Sequence, residues 1–69
     1  MVCEEKSRLV LAYEATTKNF AASITELQQK MGTSSKDEYE RLRRIVDETR
    51  VKSEQSRLAL EQHIAEHGC

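Results

Sequence analysis

The sequence has no proline and no tryptophan, a single phenylalanine and only two glycines in 69 residues. Each scarcity excludes something. Without proline there is no obligatory kink or stop inside a helix. With glycine confined to positions 32 and 68, few places offer a free backbone turn. No apolar run approaches the roughly 20 residues needed to cross a bilayer. Where a signal peptide would carry positive charge and then an apolar stretch, Met1-Val2-Cys3-Glu4-Glu5-Lys6 is acidic, so a soluble cytoplasmic protein is expected. A strong excess of either charge is also missing. Eleven basic and 12 acidic residues leave a net charge of −1, which argues against a dedicated nucleic-acid or anionic-membrane binder and leaves room for a local patch.

What remains favours long helices. Glu, Arg, Lys, Ala, Leu and Gln dominate, and 33% of the chain is charged. One break divides it, Gly32-Thr33-Ser34-Ser35. Gly32 is suited to the left-handed conformation that closes a helix. Ser35 with Glu38 forms a capping box, and Ser34 with Asp37 offers the same device one residue earlier. A helix stop, a short link and a helix start predict a hairpin: helix 1 over about 3–31, turn 32–35, helix 2 over about 36–67, all in one domain, 1–69.

The apolar spacing gives the fold class, an all-α antiparallel two-helix coiled-coil hairpin. In helix 1 the positions Cys3, Lys6, Val10, Tyr13, Thr17, Phe20, Ile24, Leu27 and Met31 step alternately by three and four. In helix 2 the same stepping gives Tyr39, Leu42, Val46, Thr49, Ser53, Ser56, Leu60, His63 and His67. Antiparallel pairing then joins residues whose numbers sum to about 69 or 70. Leu27 meets Leu42, Ile24 meets Val46 and Val10 meets Leu60. Phe20 meets Thr49, Thr17 meets Ser53 and Tyr13 meets Ser56. Large side chains of helix 1 thus oppose small ones of helix 2, which fills space without voids. Hydroxyls at Thr49, Ser53 and Ser56 can bond carbonyls of their own helix. At the flanks, Glu38 falls opposite Lys30, Glu14 opposite Arg57 and Leu9 opposite Ala59. Glu4–Arg8, Glu14–Lys18, Glu26–Lys30, Asp37–Arg41, Glu40–Arg44 and Glu48–Lys52 all place acid before base at i,i+4.

A hairpin of this size is thin and calls for a staple or a partner. Val51, Leu58 and Ala65 recur at seven-residue spacing on the outer side of helix 2. Leu11, Ala15 and Ala22 lie off the seam of helix 1, with Leu9 and Ile45 on its shoulders. These strips are either scattered surface residues or the contact between two hairpins in a four-helix homodimer. Cys3 and Cys69, 66 positions apart, are brought to one end by the hairpin. A disulfide there would contribute on the order of 4 kcal/mol on the loop-entropy account, and two reduced thiols are the equal alternative.

Chemistry is sparse. Cys3, His63, His67 and Cys69 converge at the termini with the ligand types of a tetrahedral zinc site, but without a Cys-x-x-Cys, so a metal ranks below a purely structural role. Histidine near a helix C-terminus is in any case favoured by the dipole. No Gly-rich phosphate loop, Ser/His/Asp set or Walker-like run occurs, and a two-helix rod has no concave pocket; no enzyme and no cofactor are expected. Lys36, Arg43, Arg50 and Arg57 line one edge of helix 2 at seven-residue spacing, with Arg41 and Arg44 nearby. They could contact phosphate, though Glu40, Asp47, Glu48 and Glu54 interrupt the field and no aromatic is interleaved. In size and two-helix layout the chain resembles the Rop family of plasmid RNA-binding hairpin dimers. That likeness implies an RNA- or DNA-binding dimer and carries no individual residue across. Three readings follow: a coiled-coil interaction or structural module with an unknown protein partner or a second copy, a nucleic-acid-binding hairpin, and a metal- or redox-responsive hairpin. The first is expected.

Overall fold

A computed structural model describes residues 4–67. It contains two helices packed against each other, α1 (Glu4–Lys30) and α2 (Lys36–His67). The backbone forms a rod of 52 × 15 × 11 Å. Both helices begin acidic, with Glu4 and Glu5 in one and Asp37 and Glu38 in the other, and both end basic, at Lys30 and His67. That order suits the helix dipole at all four ends. Cys3, Gly68 and Cys69 lie outside the described residues, and with them the Cys3–Cys69 disulfide.

The link between the helices is built by hydroxyl residues more than by glycine. The Lys30 carbonyl accepts from the backbone N–H of Thr33 (3.2 Å) and of Ser34 (2.9 Å), and from the Ser34 hydroxyl. Ser34 therefore finishes α1. Ser35 starts α2: its hydroxyl accepts from the Glu38 N–H (3.2 Å) and its carbonyl from the Tyr39 N–H (2.9 Å). Of the two capping boxes, the Ser35–Glu38 one forms its hydroxyl arm, while the Glu38 carboxylate makes no return bond to Ser35. The Glu38 carboxylate also lies 4.0 Å from Lys30 Nζ, the cross-helix pair expected at the turn.

Gly32 departs from expectation. Its backbone is outside the left-handed region, and a Cβ built on it would meet nothing within 4 Å. Four donors, the backbone N–H and hydroxyl groups of Thr33 and Ser34, converge on the Lys30 carbonyl without a left-handed closure. Gly32→Ala should therefore be neutral or stabilise by about 0.4–1 kcal/mol, because only the unfolded chain loses freedom. Urea denaturation followed by circular dichroism checks this, and a loss of more than about 1 kcal/mol would mean that a strained backbone is hidden there.

The seam of α2 follows its heptad pattern up to His63: Tyr39, Val46, Thr49, Ser53, Ser56, Leu60 and His63 are half-buried and Leu42 is buried, whereas His67, the last expected seam position, is exposed at the helix end. In α1 the pattern holds at Lys6, Val10, Tyr13, Phe20, Ile24 and Leu27. It fails at Thr17 and Met31, which are exposed, while Thr16, Ser23 and Lys30 turn inward beside them. Met31 is 58% exposed because α1 has already ended at Lys30. Ser23, outside the predicted seam, is 6% exposed and is with Leu42 one of two buried residues among those described.

Ser23 is buried because it bridges the helices. Its Oγ lies 2.7 Å from the Phe20 carbonyl and 2.9 Å from Thr49 Oγ1. Thr49 Oγ1 in turn reaches the carbonyls of Ile45 and Val46 at 2.9 and 3.0 Å. Two hydroxyl hydrogens serve this set, so whichever hydroxyl donates across the seam, the other donates to its own helix. Six residues away, Thr17 Oγ1 and Ser53 Oγ meet at 3.2 Å, the pairing read from the sequence. Among the described residues no buried side-chain nitrogen or oxygen lacks a partner. The small residues of α2 thus carry hydrogen bonds across the interface as well as making room for larger neighbours.

Candidate functional site

Three surfaces carry the functional candidates. The first is the outward side of α2. Val51 and Leu58 are 44% and 53% exposed, two helical turns apart, on the flank turned away from α1. An open groove beside Val51 is lined by Asp47, Glu48, Lys52 and Gln55. Leu11 on α1 is 64% exposed, and Ala15, Ala22 and Ala65 are exposed as well. Ile45 and Ile64 are 39% and 41% exposed on the shoulders of α2. Ile64 was not among the expected strip residues. It sits immediately beyond His63, and its position one step off the seam was the available signal. Leu9, on the shoulder of α1, is half-buried.

The second surface is the basic edge. Arg57 does not reach Glu14, its expected partner on α1. Its two guanidinium nitrogens are instead held within α2, Nη1 at 2.8 Å from Glu61 and Nη2 at 3.2 Å from Glu54. Hydrogen bonds from Glu54 and then Glu61, reinforced by their charges, make Arg57 hold its proton more tightly than an ordinary guanidinium. The nearer pair wins because both acids sit on the same helix, one turn below and one turn above, and need no cross-helix reach. The same offsets place Glu40 and Asp47 around Arg43, and Asp47 and Glu54 around Arg50. Lys36, Arg41, Arg43, Arg44 and Arg50 are exposed. The row therefore presents alternating charge, whereas phosphate binding needs an uncompensated positive stripe.

Within helices, salt pairing is also sparser than the spacing implied. Glu26–Lys30 forms at 3.2 Å. Arg8 pairs with Glu5 at 3.5 Å where Glu4 was expected. Glu14–Lys18, Asp37–Arg41, Glu40–Arg44 and Glu48–Lys52 stay beyond ion-pair distance among the described residues. Exposed pairs contribute little, so solvated conformers compete with them.

The third surface is the free end of the rod. His63 is half-buried and His67 exposed, and their rings lie 4.6 Å apart, tilted by 37°. Cys3 and Cys69, the other two candidate ligands, lie outside the described residues. Among the described residues no group of three or more His, Cys, Asp or Glu is arranged to hold a metal ion, and no helix is long and apolar enough to cross a membrane. A further groove, lined by Tyr13, Glu14, Thr17 and Lys18, is open to solvent and brings no nucleophile and base together. The likeness to Rop-type hairpins is one of size and layout. No protein-family model matches the chain, and neither a curated protein nor a solved structure matches it.

Proposed function

We propose that the chain is a non-enzymatic helical-hairpin module that works by association, with a second copy of itself as the partner. The observation that carries this reading is the exposure of Val51 and Leu58 on the face of α2 directed away from α1. The seam explains every other large apolar residue of the central part of α2 except Ile45. About half of each side chain is still open to water, so each would gain about half of the roughly 1.5–3 kcal/mol that full burial of an exposed side chain is worth. The thin seam supplies the need: apart from Leu42 and Ser23, its residues are at most half-buried. The open grooves count against catalysis, since an active site must exclude water and hold reacting groups. The acids that neutralise Arg57 count against the nucleic-acid alternative.

Size-exclusion chromatography with light scattering tests the proposal. The expected mass rises above that of the 7.9 kDa chain as concentration passes through the micromolar range. A constant monomer mass at high micromolar concentration, in the presence of reductant, would refute it.

A further inference from the structure

We propose that the hairpin exchanges its halves with a second copy of the chain, opening at residues 31–35 so that α1, the link and α2 become one continuous helix. Val10 and Val46, Tyr13 and Thr49, and Ile24 and Leu60 are each 36 positions apart. That separation is about ten turns at 3.6 residues per turn. In one uninterrupted helix both seams therefore lie on the same face. Two such helices set antiparallel pair residues whose numbers sum to about 70, the rule that Thr17 and Ser53 already obey inside the hairpin. The hydroxyl bridges and the apolar pairs are then remade between copies, each chain receiving the half that it gives up. This exchange uses the seam and is independent of the outer-face contact at Val51 and Leu58.

The link is close to helical already. The bond from the Ser34 N–H to the Lys30 carbonyl has the i to i−4 spacing of an α-helix, as does that from Tyr39 to Ser35. Gly32 is outside the left-handed region and has open space where a Cβ would stand, so no reversed backbone must be undone there. Continuing the helix adds the bonds from the N–H groups of residues 35–38 to the carbonyls of 31–34. Met31 is the independent sign. It holds a seam position in the sequence yet is 58% exposed, because α1 stops one residue short of it. In the continuous helix it regains that position, opposite Tyr39 of the second copy. The hairpin prevails in dilute solution, since the short link holds the halves together at an effective concentration of roughly millimolar, and exchange rises as the chain approaches that range. Residues 4–67 as one helix span about 96 Å at 1.5 Å per residue, against 52 Å for the hairpin rod.

Spin labels at Ala21→Cys/Arg50→Cys, both exposed, in a Cys3→Ser/Cys69→Ser background distinguish the two states. The labelled chain is refolded from urea at millimolar concentration in an excess of unlabelled chain. Double electron–electron resonance then reads only separations within one chain, short in the hairpin and about 44 Å along a continuous helix. Ser35→Ala removes a cap that serves only the hairpin, and should raise the exchange constant by about fivefold per chain, or about 25-fold per pair. Lys36→Pro is the opposing variant. Lys36 is the first residue of α2, where proline fits, whereas inside a continuous helix proline disfavours exchange by about a hundredfold or more per chain. It should show the short separation alone. Absence of the long separation in Ser35→Ala, or its presence in Lys36→Pro at the same level, would overturn the proposal. Lys36→Pro leaves Val51 and Leu58 in place, so its mass at rising concentration reports the outer-face contact alone, and the two readings fail separately. Circular dichroism confirms that each variant is helical.

Discussion

Leu42→Ala should lower the stability of the hairpin by about 2–3 kcal/mol, the lower part of the range for such truncations. Leu42 is 3% exposed, and no other apolar residue among those described is buried. It lies nearly two helical turns after the start of α2, where the sequence pairing sets it opposite Leu27. Truncation removes three carbons from contact, and the cavity term is small because a two-helix interface can close in from its open sides. Even so, the loss is large against the total. Domains hold about 0.05–0.15 kcal/mol per residue, which for this length is about 3–10 kcal/mol. The thermal midpoint should fall by about 10–20 °C, at 4–8 °C per kcal/mol for small domains. Leu58→Ala, at a site 53% exposed, should cost under about 0.5 kcal/mol in the monomer. Melts monitored at 222 nm compare the two. Equal, small losses would show that the seam has no anchor at Leu42. If Leu42→Ala does not fold at all, Leu42→Val gives the same ranking with a smaller change.

Much of this architecture was legible because helix geometry converts spacing directly into direction. Val10, Tyr13, Phe20, Ile24 and Leu27 on one helix and Leu42, Val46 and Leu60 on the other are large, apolar and regularly spaced, so only one rotation buries them together. Helix boundaries followed from hydroxyl residues at the break. The sequence left undecided which serine caps α2, and hydrogen bonding assigns Ser34 backward and Ser35 forward.

Ser23 was not legible, for a physical reason. Heptad reading ranks positions by size and apolarity, and serine has neither. What draws Ser23 inward is hydroxyl chemistry with Thr49, which turns α1 enough to bring Thr16 and Lys30 with it and leave Thr17 at the rim. A reading that sought partners for Thr49, Ser53 and Ser56 across the seam, as well as within their own helix, would have found it. Arg57 failed for the opposite reason. Cross-helix geometry permits Glu14, but two acids on its own helix offer the same charge at lower entropic cost. Local options outcompete long ones for exposed, flexible side chains, whereas the buried hydroxyls have no solvent alternative.

Val51→Lys/Leu58→Lys should abolish self-association while leaving the monomer at least as stable. Each side chain is already about half covered, so each lost burial is worth about 0.7–1.5 kcal/mol, roughly threefold to tenfold in the association constant, before the cost of desolvating the new charge. Lysine rather than glutamate is the informative choice. Asp47 precedes position 51 by four residues, and Glu54 precedes position 58 by four, so both lysines complete acid-before-base pairs that add about 0.2–0.5 kcal/mol each to the helix. A drop in mass by light scattering together with a raised or unchanged melting temperature at low concentration isolates the interface from the fold. An unchanged mass would move the contact elsewhere. The same acids indicate which face of the second copy is met. Asp47 and Glu48 run beside Val51, so two α2 faces placed together would bring these acids near one another, while Glu54 and Glu61 are already paired with Arg57. The α1 face offers Ala15 and Ala22 at the same seven-residue spacing as Val51 and Leu58, with Lys18 beside them. Large on small and acid on base then repeat between chains the logic of the seam within one. Ala22→Arg should accordingly block association as effectively as the paired lysines. Mixed together, the two variants each retain one intact face and should form a one-to-one pair. If association uses these two faces, on opposite sides of one rod, the contact is heterologous, and wild-type chains should extend beyond the dimer as concentration rises.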